Sequence, residues 1–337
     1  MTHELLASPA PEREAATAGS GTAGSGTARP RPAEPDVDVV HESARPLDLH
    51  ATLGSLRRGA GDPCHRAGPD GSLWRTSLLP AGPVAYRLTA LGRHRVRCQA
   101  WGSGAAELAA GLADLLGEQD DLGGFEPRHA KVIDAHRRSP GLRIPRTGRV
   151  LEALVPAILE QKVTGLEARR AWCQLVARHG TAAPGPVPPG MMVPPSARAW
   201  RMVPSWDFHR AGVDPQRART IVTAARVAHA LEACGSLPLP DAHRRLQAVP
   251  GIGVWTVAEV AVRALGDPDA LSVGDYHLAG RVGWTLAGRP FTDPEMVEYL
   301  EPWRPHRGRV IRLLELGGSF GKPRFGPRIT IQDHRRH

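Results

Sequence analysis

The chain has 337 residues, 41% hydrophobic and 23% charged, a balance typical of soluble globular domains that excludes collagen-like, mucin-like and wholly disordered classes. No run reaches the ~18 apolar residues of a membrane helix. The net charge of +9 favours a polyanionic partner, nucleic acid first, although a solvated arginine-rich surface gives the same balance.

Lysine occurs only at Lys131, Lys162 and Lys322, so the basic side chains are almost all arginine. The four cysteines, Cys64, Cys98, Cys173 and Cys234, are too far apart for a zinc or iron–sulfur motif, and no metal or organic cofactor is expected. The N-terminus lacks a charged segment followed by an apolar one, unlike a signal peptide. The expected setting is the cytoplasm, with reduced thiols.

Residues 1–44 are rich in Ala, Gly, Ser, Thr and Pro, with the repeat GSGTAGSGTA, and read as a disordered tail that cannot bury enough apolar surface to order itself. Residues 45–140 read as a small α+β domain. Leu73–Leu78 predicts a strand, Val84–Leu91 a second, Gly92-Arg93 a turn and Arg95–Trp101 a returning strand. A helix follows with Leu108, Leu112, Leu115 and Leu116 on one face.

From Gly148 the apolar period becomes helical, so residues 141–320 are predicted all-α. Val150, Leu151, Leu154, Val155, Ile158 and Leu159 form one stripe. Thr164 and Glu167 have capping-box spacing, which opens a new helix to Gly180 and leaves Gln161, Lys162 and Val163 in a tight junction. Asp214-Pro215 starts a helix that Gly235 ends. Helices over about 241–248, 255–265 and 276–287 follow. Thr292 with Glu295 opens the last long pattern, which Pro305 interrupts. Residues 321–337 read as a basic tail.

Two of these helices flank Val249-Pro250-Gly251-Ile252-Gly253. Two glycines around one apolar residue allow a sharp turn whose N–H groups point outward at a helix N-terminus. A DNA phosphate suits that site and is held without sequence being read; an ordinary turn between helices has the same residues. Asp275 precedes an apolar helical pattern, Leu278, Val282 and Leu286, and reads first as an N-cap.

Taken together, VPGIGVWTVAEVAVRALGDPDALSVGD resembles the helix-hairpin-helix and Gly/Pro-rich-loop-plus-Asp signature of the DNA glycosylase superfamily, most closely the 3-methyladenine DNA glycosylase II (AlkA-type) branch. Ile158–Thr164 is similar to that branch's helix junction facing the DNA gap. Trp303-Arg304-Pro305 is similar to its C-terminal tryptophan stretch, and the α+β region to its N-terminal, TBP-like domain. The resemblance covers about residues 45–320.

It implies a monofunctional glycosylase of base excision repair that hydrolyses the N-glycosidic bond of alkylated purines. Asp275 matches the catalytic aspartate, whose carboxylate would stabilise an oxocarbenium-like sugar or activate water. Trp255, Trp303, Tyr276 and Glu259 would line the base pocket, where indole faces attract a cationic base. Trp255 stands where relatives that also cleave the backbone carry a Schiff-base lysine, which implies no AP lyase activity. Pro250, Gly251, Ile252, Gly253 and Thr256 would bind the DNA backbone, with Gln161 and Lys162 at the space left by the flipped nucleotide.

Residues 301–337 carry nine basic and three acidic residues; Arg304 and Arg307 would add salt-dependent phosphate contacts. Three positions depart from the branch: Lys162 replaces an apolar or amide wedge, His306 a second tryptophan, and Glu259 what can be an aromatic. The implied partner is double-stranded DNA with damaged bases, met by a monomer. A glycosylase for another lesion, or a non-catalytic DNA-binding module, stays open beside this reading.

Overall fold

The computed structural model describes residues 34–318, 320 and 321. Residues 1–33 of the expected tail, and the expected basic tail beyond Gly321, lie outside the described residues.

The first half is built on a five-stranded antiparallel sheet of β1 (Val37–Glu42), β2 (His65–Ala67), β3 (Leu73–Leu79), β4 (Gly82–Ala90) and β5 (Arg95–Trp101), in the order β1-β5-β4-β3-β2. Alternation fixes its faces. Leu73, Val84, Tyr86, Leu88, Val96, Cys98 and Ala100 point to one side and form a core with the helices Leu49–Leu53, Ala105–Ala110 and Leu112–Leu115. On the other side Trp74 and Trp101 stack at 5.4 Å beneath Met191 of the proline-rich loop.

The three expected strands are present. The expected disordered tail is corrected at its end: residues 37–42 form β1. It lies on the sheet edge with Val39 and Val40 exposed, so its order comes from ladder bonds to β5 and the Asp38–Arg97 pair (2.8 Å) rather than from buried apolar surface. Composition had no signal for it.

The second half is helical except for a short antiparallel pair, Thr181–Ala182 with Met192–Val193, which corrects the all-α expectation for 141–320 and is set by backbone pairing across the proline-rich loop. Val150–Leu159, Gly165–His179, Pro215–Arg226, Leu239–Gln247 and Val254–Val260 share one core around Leu154, Ile158, Trp172, Ile221 and Leu246. Leu278–Ala287, Asp293–Leu300 and Arg307–Leu316 form a second, with Val282, Met296 and Val310 buried. Helix Ala130–Arg138, placed by the sequence in the first domain, buries Val132 and Ala135 in this second helical core. The predicted capping boxes Thr164/Glu167 and Thr292/Glu295 both form, and Asp214 caps its helix. The helix from Asp214 breaks at Val227 and resumes as Ala228–Glu232.

Sheet and helices meet through polar groups as well as apolar ones. Arg75 Nη2 donates to Glu152 Oε1 (3.1 Å), and Ser77 Oγ to Glu152 Oε2 (2.5 Å). At the far end the buried Arg309 guanidinium pairs with buried Asp120. Among the described residues no helix is long and apolar enough to cross a membrane.

Candidate functional site

The glycine hairpin joins Leu239–Gln247 to Val254–Val260 as the spacing predicted. Ile252 is its anchor, buried in the main helical core, while Pro250, Gly251 and Gly253 stay exposed. Gly251 has φ +89°, and a Cβ there would stand 2.4 Å from Thr220 Oγ1. Both the left-handed backbone and the close approach of helix Pro215–Arg226 demand glycine. The Gly251 and Gly253 N–H groups have no hydrogen-bond partner among the described residues, as an anion site requires.

The Gln161–Lys162 junction comes to the same place. Gln161 Nε2 donates to Gly251 O (3.0 Å) and to Thr256 Oγ1 (2.9 Å). Gln161 is thus a bracket between two loops 90 residues apart in sequence. Thr256, expected at the DNA, is buried and its hydroxyl holds Gln161 instead. Lys162 is exposed with φ +55°, the one non-glycine positive φ among the described residues. Arg217, unmarked in the sequence, is buried and donates to Leu159 O (2.7 Å), fixing the end of the preceding helix.

Asp275 lies on the short loop entering Leu278–Ala287. Its Oδ1 accepts the N–H groups of His277 (2.8 Å) and Leu278 (2.9 Å), which braces the turn into the helix, although the helix starts at Leu278 with His277, not the expected Asp275, at its N-cap. Its Oδ2 accepts the Trp255 indole N–H at 3.2 Å. The hairpin's following helix and the aspartate loop, separated in sequence, therefore meet at this hydrogen bond. Tyr276 beside them is 85% exposed.

Glu259 has a different role from the expected one. Its Oε2 accepts from Arg263 Nη1 (2.7 Å) and its Oε1 from Ser272 Oγ (2.6 Å). Burial alone would raise its carboxyl, but Arg263 and Ser272 outweigh that and hold it below the usual carboxylate range. It is engaged with protein groups, not open to a base.

Trp303 is buried in the second helical core, its ring 6.4 Å from Tyr299. It lines a broad depression with Phe291, Tyr299 and Arg289, and no contact joins it to Trp255 or Asp275 among the described residues. Arg304 pairs with Glu301 (2.7 Å) and Arg307 with Asp269 (2.6 Å), so their charge is balanced locally. His306, in place of a tryptophan, is buried: its Nε2 lies 3.0 Å from Gly123 O and its ring packs edge-on against Phe125.

The hairpin is thus anchored by Ile252, carries backbone N–H groups unpaired among the described residues, is bracketed to the Gln161 junction, and is followed by a helix whose Trp255 indole holds Asp275. No family model matches the chain. It is 28% identical over 287 residues to a Mycobacterium tuberculosis protein named "Probable bifunctional transcriptional activator/DNA repair enzyme AlkA", a match covering 78% of this chain and 53% of that one. The chain thus spans about half the length of that relative.

Among solved structures it is similar to a 3-methyladenine DNA glycosylase from Archaeoglobus fulgidus (TM-score 0.70, 18% identity, 83% of this chain and 98% of the other). It is also similar to an 8-oxoguanine glycosylase/lyase from Clostridium acetobutylicum (TM-score 0.64, 13% identity, 85% and 97%). These likenesses are to the fold of DNA glycosylases, which the chain shares over most of its length.

Proposed function

We propose that the chain is a DNA glycosylase of base excision repair that hydrolyses the N-glycosidic bond of alkylated purines, 3-methyladenine foremost, in duplex DNA. The observation that carries the proposal is the Trp255 Nε1 to Asp275 Oδ2 hydrogen bond beside the glycine hairpin. It brings a carboxylate against an aromatic ring that directly follows the glycine hairpin. The names of the AlkA relative and of the archaeal glycosylase support the same activity.

In this reading the Gly251 and Gly253 amides grip a backbone phosphate and Lys162 stands at the gap left by the flipped nucleotide. An alkylated purine is cationic and a good leaving group, and the Trp255 indole face attracts it. As the bond to C1′ breaks, the Asp275 carboxylate faces the growing positive charge on the sugar and orients the water that attacks C1′. No covalent enzyme–DNA intermediate forms, because Trp255 stands at the Schiff-base position.

The reading includes monomeric action, a cytoplasmic, nucleoid-associated setting and a TBP-like type for the N-terminal sheet domain. Its test is release of free bases from methylated duplex DNA by wild type and Asp275→Asn. The expected result is 3-methyladenine from wild type alone, with abasic-site DNA still bound by the variant and no adduct trapped by borohydride. Equal release of neutral hypoxanthine would reject the alkylation reading in favour of another lesion. Salt-sensitive binding with no base released from a panel of damaged bases would leave a binding module.

A further inference from the structure

The Asp275 loop between Gly266 and His277 has no helix or strand of its own, yet a carboxylate that acts on one carbon atom must be held to within ~0.5 Å. Arg307 on Asp269 and Trp255 on Asp275 tie parts of that loop, and two further side chains hold the stretch between them. Asp293 Oδ2 accepts the Gly274 N–H (3.1 Å), and Glu259 Oε1 accepts from Ser272 Oγ (2.6 Å). The Ser272 carbonyl in turn accepts the Asp275 N–H (3.2 Å).

Glu259 is the middle of a longer chain. Arg263 Nη1 donates to both its carbonyl (2.8 Å) and its carboxylate (2.7 Å), and Arg263 Nε donates to Ser55 O (2.9 Å) in the N-terminal half. Arg263 lies in the π-turn Ala261–Leu265, where the helix widens. The carbonyls of Arg263 and Ala264 accept from the Thr147 (3.2 Å) and Gly148 (2.9 Å) N–H groups. Three residues from Ser55, Arg58 reaches Glu160 Oε1 (3.3 Å), immediately before Gln161. One short N-terminal segment therefore touches the supports of both the Asp275 loop and the Gln161 junction.

We infer that Ser272, Glu259 and Arg263 are positioning residues: a clamp by which the N-terminal α+β domain fixes the loop carrying Asp275. The inference rests on the glycosylase reading for its catalytic consequence but not for the clamp itself. A mostly buried ion pair gains little stability over an apolar replacement. What this pair supplies is direction, since Glu259 uses one oxygen for Arg263 and the other for Ser272. The N-terminal domain acts on the chemistry from the protein side, whether or not it meets DNA.

The test is Ser272→Ala, which cuts the tie and leaves the ion pair intact, beside Ser272→Thr, which keeps the hydroxyl. Two readouts are taken: single-turnover base release with affinity for abasic-site DNA, and amide hydrogen exchange over 272–278. The expected result for Ser272→Ala is about a tenfold slower release, unchanged affinity and melting temperature, and faster exchange confined to that loop. Ser272→Thr restores both.

Arg263→Met, which cuts the link to Ser55, speeds exchange in the same loop. Wild-type exchange and rate in Ser272→Ala overturn the clamp, as does a rate that falls only in step with affinity and melting temperature. If wild type itself releases no base while exchange still rises in Ser272→Ala, the clamp stands and the hydrolytic reading fails.

Discussion

The Trp255 indole N–H and the Asp275 Oδ2 atom stand 3.2 Å apart, across 20 positions of sequence. The ring that would hold the base and the carboxylate that would act on the sugar are therefore oriented by each other. Trp255→Phe keeps an aromatic face and removes the donor. The expected outcome is a fall in base release of about 10- to 100-fold, by analogy with the loss of one oriented hydrogen bond at a reacting group. Affinity for undamaged duplex stays the same. Single-turnover rates measured beside non-specific binding decide it: equal losses in both would assign Trp255 to packing.

Gly251 is constrained twice. Its φ of +89° is costly for any L side chain, and a Cβ would stand 2.4 Å from Thr220 Oγ1. Gly251→Ala should lower stability by about 1–3 kcal/mol, the usual cost of a strained backbone position. Thr220→Ala in the same chain should recover the steric part and leave the backbone part. Urea unfolding of the two variants measures it, and full recovery in the double variant would show that φ strain contributes nothing.

His65 gives the pH dependence. Burial, with the Arg75 guanidinium beside it, pushes this imidazole from the ordinary 6.5 down to about 2. The unfolded chain takes up a proton below pH 6.5 that the folded chain refuses. This contribution to stability is full above pH 6.5 and is lost as pH falls from 6.5 toward 2. The slope from this one group is about 1.4 kcal/mol per pH unit. His65→Gln cannot titrate, so its unfolding free energy between pH 7 and 5 should fall less steeply than that of wild type. Parallel curves would reject the assignment.

The local parts of the site were legible in the sequence because their causes are local. A capping box needs Thr and Glu three apart, and Thr164 with Glu167 supplies it. A glycine-rich hairpin needs Gly-Ile-Gly, which stands where the spacing put it, and the aspartate before the apolar stripe braces the turn that leads into its helix. The strands β3, β4 and β5 followed from alternation in the same way.

What the sequence by itself determined is therefore the strands β3, β4 and β5, the capped helices, the hairpin and the aspartate before its neighbouring helix. Only the tertiary structure decided which side chains meet one another. Gln161 meets Gly251 across 90 positions, Glu259 turns inward to Arg263 and Ser272, and β1 exists only because β5 offers an unpaired edge. The physical reason is range. Backbone propensity and capping act over three or four residues. A glutamate's partner, a buried histidine's charge and an edge strand's ladder are set by groups that folding brings together from elsewhere in the chain.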